Sequence, residues 1–350
     1  MTRRAERPHR VLDIAEQSGL SEATVDRVLH DRAGASPRAR RAVEQAMTDL
    51  DRQQSQLRHG TQTLLVDVVS QAPARFSTAV RVALEAELSS VRPAVARARF
   101  HLRESADVAA VVEVLDGLGR RGRVPRGVLL KAPDDPLVAQ AIRRLSHRGV
   151  PVVTLVTDIR DSSRVAYVGL DNAAAGRAAA YLASRCLGGH DGDLLVALSR
   201  GAFFGESERA AACVETFARL EPQRSTCLVN DGDGLDETTR RVVVDALERH
   251  RSIIGVYSIG GGNRSIAQAF ADVGRPCQVF LAHDLDDENL QLLRSGALTA
   301  VLHHDLQADM RHALRQLMRA HRMLPGAPIS KRANVEVITP FNEPIRLTPL

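Results

Sequence analysis

The hydrophobic positions change their spacing about 50 residues into the chain, and this change divides it into two parts. In residues 1–50 apolar side chains recur every three or four positions, which predicts three short helices. Gly19 is expected to turn the chain after the first helix, and Ser21 to cap the second, over 22–29. Ser36-Pro37 marks the start of the third helix. The tight turn between the first two helices is typical of a helix-turn-helix unit.

Residues 64–350 alternate between short apolar runs and longer helical patterns. Runs without a polar face predict parallel strands whose sheet is covered by helices on both sides. The number of such units, about ten, is too large for one small sheet, so two similar α/β lobes are expected. We therefore predict an all-α headpiece over 1–50, a polar linker over 51–63 and a two-lobed α/β domain over 64–350. The clearest strands are 64–70, 126–132, 151–157, 193–199, 253–259 and 279–283.

Composition narrows the class of protein. A hydrophobic fraction of 44% with 25% charged residues is typical of globular domains and excludes a disordered chain or a small disulfide scaffold. The formal charge of +5 is compatible with nucleic-acid binding but does not establish it. With 3% aromatic residues, a surface that stacks single-stranded nucleic acid is disfavoured.

Several classes of function lack their sequence signals. The four cysteines form no CxxC pair and have no His or Cys at zinc-ligand spacing, so neither a metal nor another cofactor is expected. No nucleophile-elbow or phosphate-loop pattern is present, so we do not expect an enzyme. The charged N-terminus and the lack of a run of 18 apolar residues predict a cytoplasmic, nucleoid-associated protein without a membrane partner.

Specific motifs identify the headpiece. The run VLDIAEQSGLSEATVDRVLH over 11–30, followed by SPRAR over 36–40, resembles the headpiece of the LacI/GalR family of bacterial transcriptional regulators. The segments 149–153, 168–177 and 296–301 also resemble that family, so the likeness covers nearly the whole chain.

The resemblance implies a periplasmic-binding-protein-like fold for 64–350, with parallel sheets in two lobes. One lobe would comprise about 64–170 and 302–327, and the other about 171–301 and 328–350.

The family likeness also implies a function. It suggests a homodimeric repressor, with a tetramer also compatible, that binds double-stranded operator DNA through its headpiece. A small effector in the cleft between the lobes would alter that affinity, and a sugar, a polyol or a sugar acid fits equally well. The alternative is a small-molecule sensor whose operator recognition is weakened, because the hinge is about one helical turn shorter than in relatives and lacks their Tyr-x-Pro.

DNA-contacting residues are carried over from the family pattern. The second helix would enter the major groove, and Glu22 and Ala23 occupy the two positions that most often choose bases. Leu57 matches the hinge leucine that wedges into the minor groove. Further phosphate- or base-contacting positions are Ser21, Thr24, Arg27, His30 and Ser36.

Effector-binding residues are expected in the cleft. Arg209 falls at the family's effector-binding arginine, and Asp284 at the carboxylate that accepts hydrogen bonds from sugar hydroxyls. Asp158 follows a strand and faces the same crevice, although a purely structural role as a loop cap is an equal alternative. Gly260-Gly261-Gly262 is interpreted as a close-approach loop of the cleft. The other candidates are Phe76, Ser258, Asn263 and His304, for the last of which a structural role is also open.

Overall fold

A computed structural model describes the chain over residues 9–30, 32, 34–59, 63–104, 107–120, 122–199, 203–230 and 236–344, with backbone alone over 51–59. The N-terminal part contains three helices. They are α1 (Val11–Ser18), α2 (Glu22–Leu29) and α3 (Pro37–His59).

The headpiece helices pack around a small apolar centre. It consists of buried side chains from all three helices, namely Ile14, Ala15, Val25, Val43 and Ala46. This cluster confirms the prediction of three helices around one core.

Capping groups fix where the first two helices begin and end. Gly19 ends α1 with a φ of 66°, and Ser21 caps α2 by accepting from the backbone N–H of Thr24 at 3.3 Å. At the start of α1, Asp13 accepts from the backbone N–H of Arg10 at 3.3 Å.

The predicted linker over 51–63 is partly wrong, because α3 continues to His59. The segment DRQQSQLRH contains neither Gly nor Pro and consists mostly of good helix formers. Its polar composition, which had indicated a linker, therefore belongs to a helix. Leu57 lies on this helix, and its side chain is outside the described residues.

The first lobe begins with five strands and three helices. In chain order they are β1 (Thr63–Gln71), α4 (Ala74–Leu88), β2 (Val95–Arg103), α5 (Val108–Gly117), β3 (Gly127–Lys131), α6 (Pro136–His147), β4 (Val152–Leu155) and β5 (Ala166–Leu170). Most of these strands are buried along their length, and all of them pair in parallel.

The second lobe repeats this organisation. It contains α7 (Asn172–Leu187), β6 (Asp193–Ala197), α8 (Phe204–Leu220), β7 (Thr226–Val229), α9 (Asp236–Arg249), β8 (Ile253–Ser258), α10 (Asn263–Asp272), β9 (Val279–His283), α11 (Asp287–Arg294) and β10 (Ala300–His303). Three elements follow, namely α12 (Leu306–Ala320), β11 (Lys331–Ala333) and β12 (Glu336–Ile338). Over the part of the chain that the structure describes, every helix is too short or too polar to cross a bilayer.

Two six-stranded sheets result, ordered β11-β5-β4-β3-β1-β2 and β12-β10-β9-β8-β6-β7. The chain crosses between the lobes after β5, after β10 and between β11 and β12. The last crossing differs from the expected boundary at 327/328, because β11 pairs with β5 in the first sheet. Its sequence, Lys-Arg-Ala, carries no apolar run that could have predicted a strand there.

A charged cluster joins the edge strand β2 to its neighbour β1 in the first sheet. Asp67 on β1 is fully buried, and its carboxylate accepts two hydrogen bonds of 2.6 Å from Arg99 and one of 3.2 Å from His101. Burial alone would raise the pKa of Asp67, but the bonds from His101 and Arg99 outweigh it and lower the pKa. This cluster ties β2, whose outer edge has no neighbour, to the core.

Replacing Asp67 by Asn keeps the side-chain shape and removes the charge. We expect Asp67→Asn to lower the free energy of unfolding by about 1–3 kcal/mol at pH 7, because Arg99 loses a charge-assisted bidentate partner. The lowered pKa means that this stabilisation is present above about pH 4 and is lost as the pH falls through the folded-state value. Urea unfolding at pH 7 and pH 3 should therefore show a difference that shrinks in acid.

Asp116→Asn is the matched control, since it breaks another bidentate pair, with Arg144, that is exposed to solvent. This substitution should lower the free energy of unfolding by less than about 1 kcal/mol. Equal costs for the two variants would contradict the role assigned to Asp67.

Candidate functional site

The carboxyl ends of strands from both sheets line one cavity of about 1040 Å³. Parallel strands of one sheet end at the same edge, so loops that follow different strands converge there. Both lobes contribute residues at or just after strand ends, among them Gln71, Lys131 and Val156 from the first lobe and Ser199, Ile259 and His283 from the second. This cavity is the cleft between the lobes.

Five of the seven predicted effector residues line this cleft. They are Phe76, Arg209, Asn263, Asp284 and His304. The interpretation of 260–262 as a cleft loop also agrees with the structure, because Gly260 and Gly261 line the cavity.

Asp158 and Ser258 do not line the cavity. Asp158 accepts from the hydroxyl of Thr154 at 2.7 Å and from the guanidinium of Arg164, so it holds its own loop together. The alternative of a structural loop cap therefore describes Asp158. Ser258 is buried at the end of β8, and the residues after it form the cleft wall instead.

Arg209 is held in place by a short chain of hydrogen bonds. It lies on α8 with 4% of its surface exposed, and its Nε donates to Oδ1 of Asn172 at 2.8 Å. Asn172 in turn donates to the hydroxyl of Tyr167 at 3.2 Å. Tyr167 belongs to the first lobe and Arg209 to the second, so this chain spans the first crossing between the lobes. Its terminal guanidinium nitrogens form no hydrogen bond with any residue that the structure describes.

Asp284 directly follows β9 and has an unusual backbone conformation. Its φ is 64°, a left-handed value that is uncommon for residues other than glycine and often occurs at functional sites. Asn289 stabilises this turn by donating to the carbonyl oxygens of His283 and Asp284, at 2.8 and 2.7 Å. The carboxylate of Asp284 is thereby placed at the cleft.

His304 connects Asp284 to the first lobe. Its Nε2 lies 3.7 Å from Oδ1 of Asp284, and its Nδ1 is 2.7 Å from Oδ2 of Asp309 on α12. Burial alone would lower the pKa of His304, but the hydrogen bond with Asp309 and the nearby charge of Asp284 raise it. The structure therefore favours a protonated imidazole between two carboxylates.

Two charged residues at the floor of the cleft were not predicted. Lys131 ends β3, where its Nζ donates to the carbonyl oxygen of Gln71 at 3.2 Å and lies 4.0 Å from the ring centre of Phe203. Burial lowers the pKa of Lys131 to about 8. Glu206 on α8 accepts from the backbone N–H of Ser199 at 2.9 Å and from its hydroxyl at 2.7 Å. Lys131 is one of only two lysines in this arginine-rich chain, a signal that the sequence did offer.

An ion pair crosses the mouth of the cleft. Nε of Arg75, on α4 of the first lobe, lies 3.4 Å from Oδ2 of Asp286, which caps α11 in the second lobe. The guanidinium also rests on Gly261, whose φ is 91° and where a Cβ atom would overlap Nη2 of Arg75. Sequence reasoning missed this contact because the two partners are more than 200 positions apart.

The predicted DNA-contacting residues other than Leu57 lie on or beside α2 or directly before α3. Ser21, Glu22, Ala23, Arg27 and His30 are exposed on or beside α2, and Thr24 is partly exposed. Ser36 is also exposed, and its hydroxyl accepts from the backbone N–H of Ala39 at 3.2 Å, as an N-cap of α3. His30 is not freely mobile, since its Nδ1 lies 2.8 Å from the carbonyl oxygen of Asp26.

Two family models match the chain. The periplasmic binding protein domain matches residues 71–322, and the bacterial regulatory proteins of the lacI family match residues 11–52. No curated protein matches the chain significantly.

Solved structures share the two-lobed fold. An ABC transporter solute-binding protein from Burkholderia graminis C4D1M in complex with D-arabinose has a TM-score of 0.72 and 19% identity, covering 81% of this chain and 98% of that chain. GanP, a glucose-galactose binding protein from Geobacillus stearothermophilus, has a TM-score of 0.69 and 16% identity. The match covers 81% of this chain and 99% of that chain. A putative LacI transcriptional regulator from Bacteroides fragilis has a TM-score of 0.68 and 13% identity. The match covers 80% of this chain and 97% of that chain. These likenesses confirm the predicted fold class.

The contact between Arg75 and Gly261 predicts the effect of a single methyl group. In Gly261→Ala the added Cβ would displace the terminal part of the flexible Arg75 side chain, so the pair with Asp286 should weaken and an open arrangement of the lobes should become more populated. We expect a larger radius of gyration in small-angle X-ray scattering than for the unaltered protein.

Gly274→Ala provides a control, because Gly274 also has a left-handed backbone conformation. Gly274 has a φ of 62° and nothing within 4 Å of an added Cβ. Both variants should lose about 1–2 kcal/mol of stability from left-handed strain, but only Gly261→Ala should expand. Identical scattering from the two variants would contradict the view that the contact of Arg75 with Gly261 and Asp286 helps to hold the lobes together.

The raised pKa of His304 predicts a pH-dependent stability. Protonation favours the folded state, so this contribution is complete below about pH 6.5 and is lost as the pH rises through the folded-state value. From pH 6 to pH 8 the melting temperature of the unaltered protein should fall relative to that of His304→Gln. His312, whose pKa burial lowers, should give the opposite sign in His312→Gln. The same slope for both variants would exclude the assigned role of His304.

Proposed function

The chain belongs to the periplasmic binding protein domain family and, with its lacI-family headpiece, has the architecture of the LacI/GalR regulators, and on this premise we propose that it is a transcriptional repressor controlled by a small carbohydrate-type effector. The observation that carries the proposal is the combination in one chain of an exposed helix-turn-helix and an interlobe cleft. We propose no catalytic role.

The exposed surface of α2 supports operator recognition. Glu22 and Ala23 lie in its first turn, where a recognition helix approaches base edges in the major groove. A Glu can accept from the N4 amino group of cytosine, and short neighbours let the helix lie deep in the groove. Ser21, Thr24, Arg27, His30 and Ser36 are proposed to contact the backbone or adjacent bases.

The helix α3 supports a connection between headpiece and lobes. It runs for 23 residues, which corresponds to about 34 Å at 1.5 Å per residue. We propose that its last turns act as the hinge, with Leu57 as the minor-groove wedge. A homodimer of such chains would place two headpieces on a pseudo-palindromic operator, and a tetramer of two such dimers is compatible with this arrangement.

The cleft supports a polyhydroxylated effector. Arg209 and Lys131 offer donors, whereas Asp284 and Glu206 offer acceptors, and hydroxyl groups can satisfy both kinds. The proteins of similar fold include one bound to D-arabinose and one described as a glucose-galactose binding protein. We propose that closure of the lobes around such a molecule changes operator affinity.

Random-site DNA selection with the full-length protein tests the proposal. We expect a consensus of two inverted half-sites. Glu22→Gln should relax specificity at one position of each half-site and cost about 5–150-fold in operator affinity. Glu16→Gln removes an exposed carboxylate from α1 and should leave the consensus unchanged.

The hinge is tested in the same selection. Leu57→Ala should lower affinity for the full palindrome more than for a single half-site. Binding that shows no consensus and only weakens with salt would instead favour the alternative, a sensor module whose operator recognition is weakened.

A further inference from the structure

Four charged side chains form the floor of the cleft. Lys131 and Arg209 are cations, and Glu206 and Asp284 are carboxylates. Among the described residues, no two of these four form an ion pair with each other. The interactions that hold them come from neutral groups or, for Asp284, from His304. These four side chains therefore carry equal numbers of opposite charges that do not contact one another, and His304 adds positive charge beside Asp284 when its imidazole is protonated.

A ligand is needed to complete these interactions. Arg209 is nearly inaccessible to solvent yet has no carboxylate partner within 4 Å among the residues described. Asn263, which is 2% exposed and lines the cavity, has an Oδ1 atom without a described partner. Because unfilled hydrogen-bonding groups in such places are costly, a bound molecule that both donates and accepts would gain affinity here.

The lining of the cleft carries mostly negative charge. Nine carboxylates line the cavity against three Arg or Lys side chains, and seven of the nine are additional to Glu206 and Asp284. Asp286 pairs with Arg75, and Glu288 with Arg264 outside the lining. Four others form no ion pair with a basic residue in the described part of the chain, namely Glu104, Asp236, Asp305 and Glu336. We refer to these four as the acidic rim.

Taking the proposed effector function as its premise, we infer that the cleft selects by charge, admitting a neutral polyhydroxy compound and rejecting its carboxylate or phosphate counterpart. A neutral sugar or polyol can donate to Glu206 and Asp284 and accept from Lys131 and Arg209 at once. An anion would have to pass the acidic rim and then lie beside two floor carboxylates. On this inference the sugar acid is excluded from the three effector classes that the sequence left open, and the sugar and the polyol remain.

The opposite assignment, an anion site built on Lys131 and Arg209, is disfavoured by the same geometry. Glu206 and Asp284 each favour the charged form of Lys131 electrostatically, against the larger effect of burial, which lowers its pKa. A ligand carboxylate would compete with both of them while losing its hydration. The floor cations are therefore better used as donors to hydroxyl oxygens than as counter-ions.

Related ligands that carry different charges test this inference. Isothermal titration of the full-length protein would compare galactose with galacturonate and galactosamine, glucose with glucuronate and glucose 6-phosphate, and ribose with ribose 5-phosphate. Arabinose, xylose and inositol extend the neutral set. We expect at least one neutral compound to bind and its acid or phosphate counterpart to bind at least tenfold more weakly.

The results separate the inference from the proposed function. An acid or phosphate that binds as tightly as its neutral counterpart, or a preference for the amine alone, would overturn charge selection while leaving a carbohydrate effector in place. Failure of every carbohydrate to bind a cooperatively folded protein would remove the proposed effector class together with the inference.

Neutralising the rim tests where the selectivity arises. The triple variant Glu104→Gln, Asp236→Asn and Glu336→Gln should narrow the ratio between acid and neutral dissociation constants, most clearly at low salt. The control triple changes three exposed carboxylates away from the cleft, Glu113→Gln, Glu215→Gln and Glu248→Gln. Because net charge changes equally in both, an equal effect on the ratio, or none from the rim triple, would overturn the assignment to the rim.

Discussion

Charged side chains must be held at the facing edges of two sheets whose strands are parallel except for β12, and the architecture of the cleft follows from that constraint. An uncompensated charge in such a place is costly, so each group is oriented by at least one neighbour. Asn172 holds Arg209, Ser199 holds Glu206 and Asp309 holds His304. None of these partners uses the full hydrogen-bonding capacity of the group it holds. Because all three groups line the cleft, the protein itself fixes their positions there.

The same groups connect the lobes. The bonds from Tyr167 through Asn172 to Arg209 span the crossing after β5, and the contact of His304 with Asp309 spans the crossing after β10. At the mouth, the pair of Arg75 and Asp286 is the only ion pair that joins the two lobes among the described residues that line the cleft. Opening the cleft therefore requires the mouth contact to break, whereas the contacts near the crossings lie close to the segments about which the lobes would turn.

Particular elements show what the sequence could and could not predict. Strongly apolar runs such as 64–70 and 253–259 became central strands, because burial on both faces requires that composition. The hydrophobic pattern did not predict the edge strands β2 and β11, because β2 alternates Arg with apolar residues and β11 is Lys-Arg-Ala. In the cleft, the family pattern located Arg209 and Asp284. Asp158 was placed there by its position after a strand, yet Arg164, six residues on, takes its carboxylate. Arg75 and Lys131 depend on contacts between distant segments, which no local pattern records.

The rarity of lysine gives the molecule an intrinsic spectroscopic probe. The chain contains two lysines, Lys131 at the floor of the cleft and Lys331 on the exposed strand β11. Isotopic labelling of lysine alone would reduce the side-chain ammonium region of a nuclear magnetic resonance spectrum to two signals. One would respond to the aromatic ring of Phe203 nearby, and the other would serve as an internal reference in solvent. Occupancy of the cleft could then be followed at a single nitrogen atom, without any foreign label.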